Sequence, residues 1–189
     1  MRSVITDNFS LHFAGGILNE PGGSVLVEGS TIAHNAADGS GGILNEGALV
    51  VRNSAIIFNE SNAGGTGFGA GIGNSGYLEI VNSTFAKNSV FKVAQGFGSG
   101  GAISNFNGGF VSITNSTIRE NQVSEGPGGG IANNGGTVRL QNTIVAGNTS
   151  ALAFSGPAGP PDCVGTITSL GNNLVGDPSG CAITFSQAI

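Results

Sequence analysis

The stretch GGILNEGALVVRNSAIIFN, residues 41–59, contains the pattern that decides the fold. It opens with Gly-Gly-Ile-x-Asn, continues with alternating apolar residues, and closes on Asn-Ser-x-Ile-x-x-Asn. Its first six residues, GGILNE, also occur at Gly15–Glu20. Because each copy ends in a carboxylate, Glu20 and then Glu46, the duplication indicates either a repeated structural unit or a repeated site.

Two asparagine anchors recur along the chain. Successive copies of the Gly-Gly-Ile segment lie 26 to 31 residues apart, and the seven-residue segment that ends at the second anchor keeps its length. Constant cores separated by variable loops are typical of a solenoid. The first anchor recurs at Asn19, Asn45, Asn74, Asn105 and Asn133, and the second at Asn35, Asn59, Asn88, Asn121 and Asn148.

Each unit also carries a short strand with apolar residues at every second position. This period predicts a half-buried strand, and the turn residues between the short segments predict about three strands per unit. Stacking at about 4.8 Å would align the two asparagines into ladders of hydrogen-bonded amides. The fold class predicted is all-β, a parallel β-helix of about five to six coils. The inward pairs are Val25/Val27, Leu49/Val51, Leu78/Ile80, Val111/Ile113 and Val138/Leu140.

The composition narrows the classes of partner. Only 9% of the 189 residues are charged, glycine contributes 35, and the net charge is −5. A chain so poor in lysine and arginine lacks the basic footprint of a nucleic-acid binder. No apolar run approaches the roughly 20 residues of a membrane helix, so we expect no membrane insertion by this segment. The first residues contain no signal-peptide core.

We expect one domain spanning residues 1–189. Residues 1–14 form a partial first coil, residues 15–148 regular coils, and residues 149–189 an irregular C-terminal cap. Cys163 and Cys181 fall within this cap, and we expect them to form a disulfide, with two free thiols as the alternative. A disulfide would contribute about 3 kcal/mol in the chain-entropy model and would imply an oxidising compartment.

The repeat resembles the GGA(I/L/V) and FxxN repeats of polymorphic outer-membrane proteins. Residues 85–88 are a literal FxxN and residues 100–103 a literal GGAI, and residues 161–181 resemble the closing segment of secreted bacterial β-helix proteins that carry a C-terminal anchor. This resemblance implies a right-handed parallel β-helix at the bacterial cell surface or in secretion. Such helices include adhesins and polysaccharide lyases, so the fold does not determine the function.

Four ionisable residues are the only weak catalytic candidates. Glu20 and Glu46 follow equivalent anchors in adjacent coils and could share a proton, hold a cation or flank a glycosidic bond. Asp7 and His34 could form a dyad that orients a base. The alternatives are solvated glutamates and a surface ion pair, the latter also expected for Lys87 with Glu120 and Glu28 with Arg52.

No metal cluster or cofactor motif is evident, so we expect neither. One row of hydroxyl residues is predicted to face outward as a candidate ice-binding surface, and the alternative is that short hydroxyls suit strand ends and turns. The row consists of Ser30, Ser54, Ser83, Ser116 and Thr143.

The variable loops are the preferred recognition elements, because loops on a rigid scaffold commonly carry binding residues. They carry Phe68, Phe91, Phe97 and Phe154, which either contact a ligand or fold over the coil edge. The function expected is therefore a non-enzymatic, extracellular or surface-exposed segment for adhesion, contacting polysaccharide or a surface protein. The alternatives are a pectin-lyase-like polysaccharide lyase or glycoside hydrolase, and an ice-binding protein or structural spacer. A coil end could also pack against another domain or chain.

Overall fold

The computed structural model describes residues 2–62, 69–91, 99–151 and 159–186. Within these ranges the chain is all-β, with no helix, and its parallel strands stack into a β-solenoid of about five turns. The predicted fold class is thereby confirmed. Every pairing between strands is parallel, because each coil returns to the same starting point one strand spacing further along the axis.

Each regular coil contains four short strands, one more than the three expected from the sequence. The extra strand is the two-residue segment that follows the second asparagine, too short to show an apolar period. The first position in the coil comprises β3 (Ile17–Asn19), β7 (Ile43–Asn45), β11 (Ile72–Asn74), β15 (Ile103–Phe106) and β19 (Ile131–Asn134). The second comprises β4 (Ser24–Glu28), β8 (Ala48–Arg52), β12 (Tyr77–Val81), β16 (Phe110–Thr114) and β20 (Thr137–Gln141).

The third and fourth positions complete the coil. The third comprises β1 (Val4–Thr6), β5 (Thr31–Ala33), β9 (Ala55–Ile57), β13 (Thr84–Ala86), β17 (Thr117–Arg119), β21 (Ile144–Ala146) and β24 (Leu174–Val175). The fourth comprises β2 (Phe9–Ser10), β6 (Ala36–Ala37), β10 (Glu60–Ser61), β14 (Ser89–Val90), β18 (Gln122–Val123) and β22 (Thr149–Ser150). Two further strands, β23 (Cys163–Ser169) and β25 (Cys181–Phe185), belong to the C-terminal end.

The core is a set of apolar columns that run along the solenoid axis. Ile43, Ile72, Ile103 and Ile131 occupy one register position of successive coils and are fully buried. The inward pairs of the second strand position form two more columns, and Phe85 is the largest side chain that is wholly enclosed. Burial of this apolar surface is the main favourable term for a chain with so few charges.

The repeated Gly-Gly pair is explained by the close approach of neighbouring coils. A Cβ atom on Gly41 would overlap the carbonyl oxygen of Glu60, and one on Gly42 would overlap that of Gly71. Both positions therefore require glycine because it has no side chain. Neither glycine adopts a positive φ.

The two asparagine ladders run through the interior. In the first, each side-chain amide donates to the Oδ1 of the next coil's asparagine over 2.6–3.0 Å. In the second, the corresponding distances are 2.8–3.0 Å, and the same Oδ1 also accepts a backbone N–H. These bonds satisfy turn groups that strand pairing leaves unpaired, and such groups are costly when buried without a partner. All ten asparagines expected from the sequence take part, and Asn8 also donates into the second ladder.

The hydroxyl row faces the interior, so its predicted outward orientation is wrong. Ser54, Ser83, Ser116 and Thr143 are buried. Each accepts a backbone N–H from the preceding coil; Ser54, for example, accepts that of Ser30 at 3.0 Å. Each hydroxyl also donates to a carbonyl two residues earlier. At this corner the backbone N–H and carbonyl groups do not pair with a neighbouring strand. A short hydroxyl side chain can reach both groups and bond to them. The row offers no ice-binding surface.

The C-terminal end closes with a covalent link and a carboxylate. β23 pairs with both β19 and β20, and β25 pairs with β23. Cys163 continues the isoleucine column and forms a disulfide with Cys181, as expected, with Cα atoms 5.6 Å apart. Asp162 is buried and ends the second ladder: Oδ1 accepts the amide of Asn148 at 2.8 Å, and Oδ2 accepts the backbone N–H of Asp177 at 2.7 Å.

Candidate binding surface

Glu20 and Glu46 lie at the turns between the first and second strand positions of neighbouring coils. Both side chains are exposed, and neither has a hydrogen-bond or ion-pair partner among the described residues. This arrangement matches the solvated alternative.

Asp7 and His34 occupy adjacent coils but do not form the dyad considered for them. Oδ2 of Asp7 accepts the hydroxyl of Thr6 at 2.8 Å, whereas the His34 ring stacks on Phe58 with centroids 4.9 Å apart. Both residues have a positive φ, 60° and 55°, and each side chain is engaged with a partner other than the one considered for it. A catalytic base oriented by Asp7 is therefore not assembled.

Of the three surface ion pairs expected between coils, two are present, and the ion pairs of the described residues do not include one between Asp7 and His34. Arg52 lies 2.9 Å from Glu28, and Lys87 lies 3.7 Å from Glu120, which also contacts Arg119. All of these side chains are about half exposed, so each pair contributes only about 0–1 kcal/mol. They stabilise the stacking register and do not mark a site.

Of the four phenylalanines expected to carry recognition, one can be placed. Phe91 follows β14 and is exposed. Phe68, Phe97 and Phe154 lie outside the described residues. The placement of Phe91 agrees with a ring that points to solvent at the base of a variable loop.

A second aromatic feature, not anticipated from the sequence, lies on the outer face of the second strand position. Tyr77 and Phe110 are the first residues of β12 and β16 and are paired in register. Their rings stack with centroids 5.3 Å apart and planes 5° from parallel. The guanidinium of Arg139 lies 5.4 Å from the Phe110 centroid, and the Tyr77 hydroxyl lies 3.4 Å from a Glu79 oxygen. We call Tyr77, Glu79, Phe110 and Arg139 the aromatic shelf.

The side of Tyr77 away from Phe110 is bordered by small residues. Register places Ala48 and then Ser24 at the equivalent positions of the two preceding coils, and both are exposed. Two coils correspond to a ledge of about 10 Å. One ring face of the shelf therefore borders open space, whereas the other is covered by Phe110.

The electrostatics of the shelf are set by Glu79. Partial burial, followed by the charge of Glu79 and its hydrogen bond, raises the pKa of Tyr77 above the ordinary 10.0. The phenol is thus neutral at physiological pH. The shelf presents an aromatic face, a hydroxyl, a carboxylate acceptor and a guanidinium donor within one exposed patch.

The repeat position could have revealed the shelf. Tyr77 stands three residues after the anchor Asn74 and Phe110 five residues after Asn105, but each is the first residue of a five-residue strand and directly precedes its inward apolar pair. Alignment of the units by their inward apolar pairs places both rings in the same outward row. Only the structure shows that the rings stack on each other.

These features define the class of protein: a parallel β-solenoid with an internally laddered core and an exposed aromatic patch. Searches of family models, curated proteins and solved structures found no match to this chain. Among the described residues no group of three or more His, Cys, Asp or Glu side chains is arranged to hold a metal. The same residues include no helix long and apolar enough to cross a membrane.

Proposed function

We propose that this chain is an extracellular or surface-exposed β-solenoid segment that acts by contact with carbohydrate or protein and not by catalysis. The aromatic shelf is the observation that carries the proposal. A rigid stack of strands holds two aromatic rings at the surface beside a hydroxyl, a carboxylate and a guanidinium. Exposed aromatic side chains with polar neighbours are enriched at recognition surfaces.

A sugar ring complements this chemistry. A pyranose presents C–H groups on its faces and hydroxyl groups around its edge, so its face can pack on the open side of Tyr77. Its hydroxyls can then donate to Glu79 or accept from Arg139. The ledge above Ala48 and Ser24 supplies the space for such a ring. Phe91 and the variable loops would extend contact to longer glycans or to a protein.

The expected setting is secretion or the bacterial cell surface. A disulfide between Cys163 and Cys181 is compatible with an oxidising, extracellular compartment. The resemblance of the repeat to those of polymorphic outer-membrane proteins supports the same setting.

Tyrosine fluorescence offers a direct test, because the chain contains one tyrosine and no tryptophan. Purified protein would be titrated with neutral and acidic oligosaccharides while the release of reducing or unsaturated ends is measured in parallel. We expect a change in Tyr77 emission with at least one glycan and no cleavage of any. Cleavage that is lost in Glu20→Gln or Glu46→Gln would overturn the non-enzymatic proposal.

The shelf is tested with substitutions that introduce the residue found at the same register position of another coil. Tyr77→Ala copies Ala48, and Phe110→Thr copies Thr137, so each introduces the residue that another coil already tolerates at that position. Retention on immobilised glycan should fall about tenfold in either variant. Phe58→Asn removes a stacked, exposed aromatic on another face and should leave retention unchanged. Equal losses in all three would contradict a role for the shelf.

A further inference from the structure

A column of exposed asparagines marks the corner between the second and third strand positions. Asn53, Asn82, Asn115, Asn142 and Asn172 each have a φ between 49° and 56° and an exposed side chain. We call this column the asparagine corner. It lies at the opposite end of the five-residue strands from the aromatic shelf, about 16 Å away at strand spacing. It is also distinct from the two buried ladders.

Backbone conformation alone does not account for this column. Asparagine does tolerate positive φ better than most residues. However, the next corner of each coil has the same conformation, with φ between 55° and 60°, in Asp7, His34, Phe58, Lys87 and Glu120. Five different residue types other than glycine occur at that corner, whereas this one holds asparagine in five coils and Gly29, with a φ of 56°, in the coil before Asn53. From Asn53 onward the coils thus share an amide side chain that this backbone conformation permits but does not require.

The amides of the corner retain unused hydrogen-bonding groups. Nδ2 of Asn142 donates to Oδ1 of Asn115 at 2.6 Å. Among the described residues, Oδ1 of Asn142, the amide nitrogen of Asn115 and the whole amide of Asn172 have no other partner. Exposed hydrogen bonds between side chains contribute little to stability, because water competes for both groups. The column thus offers alternating donors and acceptors to a ligand.

A groove of about 380 Å³ runs along the C-terminal part of this corner. Its volume lies toward the lower end of the roughly 300–1,000 Å³ typical of small-molecule sites. Its described walls are neutral and include Asn115, Thr117, Asn142, Ile144, Asn172 and Leu174. Ile144 and Leu174 are exposed apolar side chains at the third strand position, next to the amides.

The wall of this groove is held in place from beneath. Asn173 accepts the backbone N–H of Thr143 at 2.9 Å and donates to the carbonyl of Leu140 at 2.9 Å. It also donates to the hydroxyl of Ser169. Because these bonds anchor the loop that bears Asn172 and Leu174, a ligand would meet an arranged surface and would spend little free energy on ordering it.

We propose that this groove binds a neutral, hydroxyl-rich ligand, a segment of an uncharged oligosaccharide. A side-chain amide can donate a hydrogen bond to a hydroxyl group or accept one from it. The aliphatic side chains of Ile144 and Leu174 can pack against the C–H face of a sugar. Without a cationic residue on its described wall, the groove gives no preference to sulfated or uronic chains. The inference goes beyond the proposed function, because the groove shares no residue with the aromatic shelf.

The test is a titration of the isotopically labelled protein, followed in ¹H–¹⁵N correlation spectra that include the asparagine side-chain amides. The probes are cellohexaose, mannohexaose and an oligogalacturonate. We expect at least one neutral hexaose to shift the signals of Asn115, Asn142 and Asn172, with weaker or no effect from the oligogalacturonate. The Asn142→Asp variant should bind the hexaose at least fivefold more weakly, because it removes the donor and adds a charge.

Asn53→Asp is the matched control, since it makes the same change at the same corner and the same φ outside the groove. It should leave the affinity unchanged, and so should Tyr77→Ala, which disrupts only the shelf. The groove proposal fails if neither neutral hexaose shifts these amides, if oligogalacturonate binds more tightly, or if Asn53→Asp weakens binding as much as Asn142→Asp. Loss of binding in Tyr77→Ala alone would assign the ligand to the shelf instead.

Discussion

Asparagine performs three different tasks in this chain, and its position in the coil determines which. At the two anchors it is buried and joins neighbouring coils by side-chain amide bonds. At the asparagine corner it is exposed and adopts a positive φ. Asn173, near the C-terminal end, holds a loop by bonds to the backbone. Residue identity alone does not separate these tasks, because each depends on which side of the coil the side chain faces.

Replacement of a ladder asparagine should be among the most destabilising single changes. Asn88 is fully buried, donates to Asn121 and to the carbonyl of Ile56, and accepts from Asn59. Asn88→Ala leaves these groups unsatisfied, so the free energy of unfolding should fall by about 3 kcal/mol. Urea denaturation would measure it.

The control for this change is Asn82→Gly, which keeps the positive φ at an exposed corner. Its cost should stay below about 1 kcal/mol. Similar denaturation midpoints for the two variants would show that the ladder bonds do not stabilise the folded chain.

The pKa of Tyr77 should report the electrostatic environment of the aromatic shelf. Because the chain has a single tyrosine, tyrosinate absorbance belongs to this residue alone. Burial and Glu79 raise its pKa, so half-ionisation should occur above pH 10. Folding favours the neutral phenol. The stability that this contributes is fully present below the pKa of Tyr77 in the unfolded chain, and it is lost as pH rises through the pKa of Tyr77 in the folded chain.

Glu79→Gln separates the two causes of this shift. Removal of the carboxylate should lower the midpoint from that of the native protein, while burial keeps it above that of a free tyrosine. A midpoint unchanged by Glu79→Gln would show that the carboxylate does not act on the phenol in solution.

At the scale of elements, the strands follow the repeat and the C-terminal end departs from it. The seven-residue β23 spans two strand positions that are separate in the regular coils. Its start is held by the disulfide and by Asp162, which replaces an asparagine at the end of the second ladder. A carboxylate suits this place because it accepts on both oxygens, whereas an asparagine would accept on only one.

Asp162→Asn should therefore destabilise this end although it preserves the shape of the side chain. The new amide can still accept from Asn148, but its N–H groups would face the backbone N–H of Asp177. We expect a loss of about 1–3 kcal/mol, measured by chemical denaturation. Asp177→Asn is the exposed comparison and should cost less; if both cost the same, the two-sided acceptor role is wrong.

At the scale of the whole molecule, the two ends of the solenoid differ. The N-terminal strands β1 to β4 each pair on one side only among the described residues. Phe9, Leu11 and Phe13 are exposed there, and a cavity of about 190 Å³ opens onto Ile5, Ile17 and their neighbours. An exposed apolar edge of this kind is a docking or association hazard. Packing of this end against another domain or chain remains a proposal.

Hydrogen exchange should show the resulting gradient in stability. Amides of β1 to β4 should exchange faster than those of β11 to β13, which pair with a coil on each side. Mass spectrometry of peptides from the two regions would measure the difference. Equal protection at both places in a dilute, monomeric sample would contradict it.

The sequence by itself determined the repeat, the all-β solenoid, the inward apolar columns and both buried ladders, because a fold made of stacked identical coils places equal repeat positions one above another. Only the tertiary structure showed which way the corners point. It showed the hydroxyl row turned inward, Asp7 bonded to Thr6 and not to His34, and Tyr77 stacked on Phe110, because the two-residue period assigns a face to a side chain but not its rotamer or its partner. The candidate surface depends on those corners and strand ends, and for that reason the sequence indicated the scaffold more fully than the site.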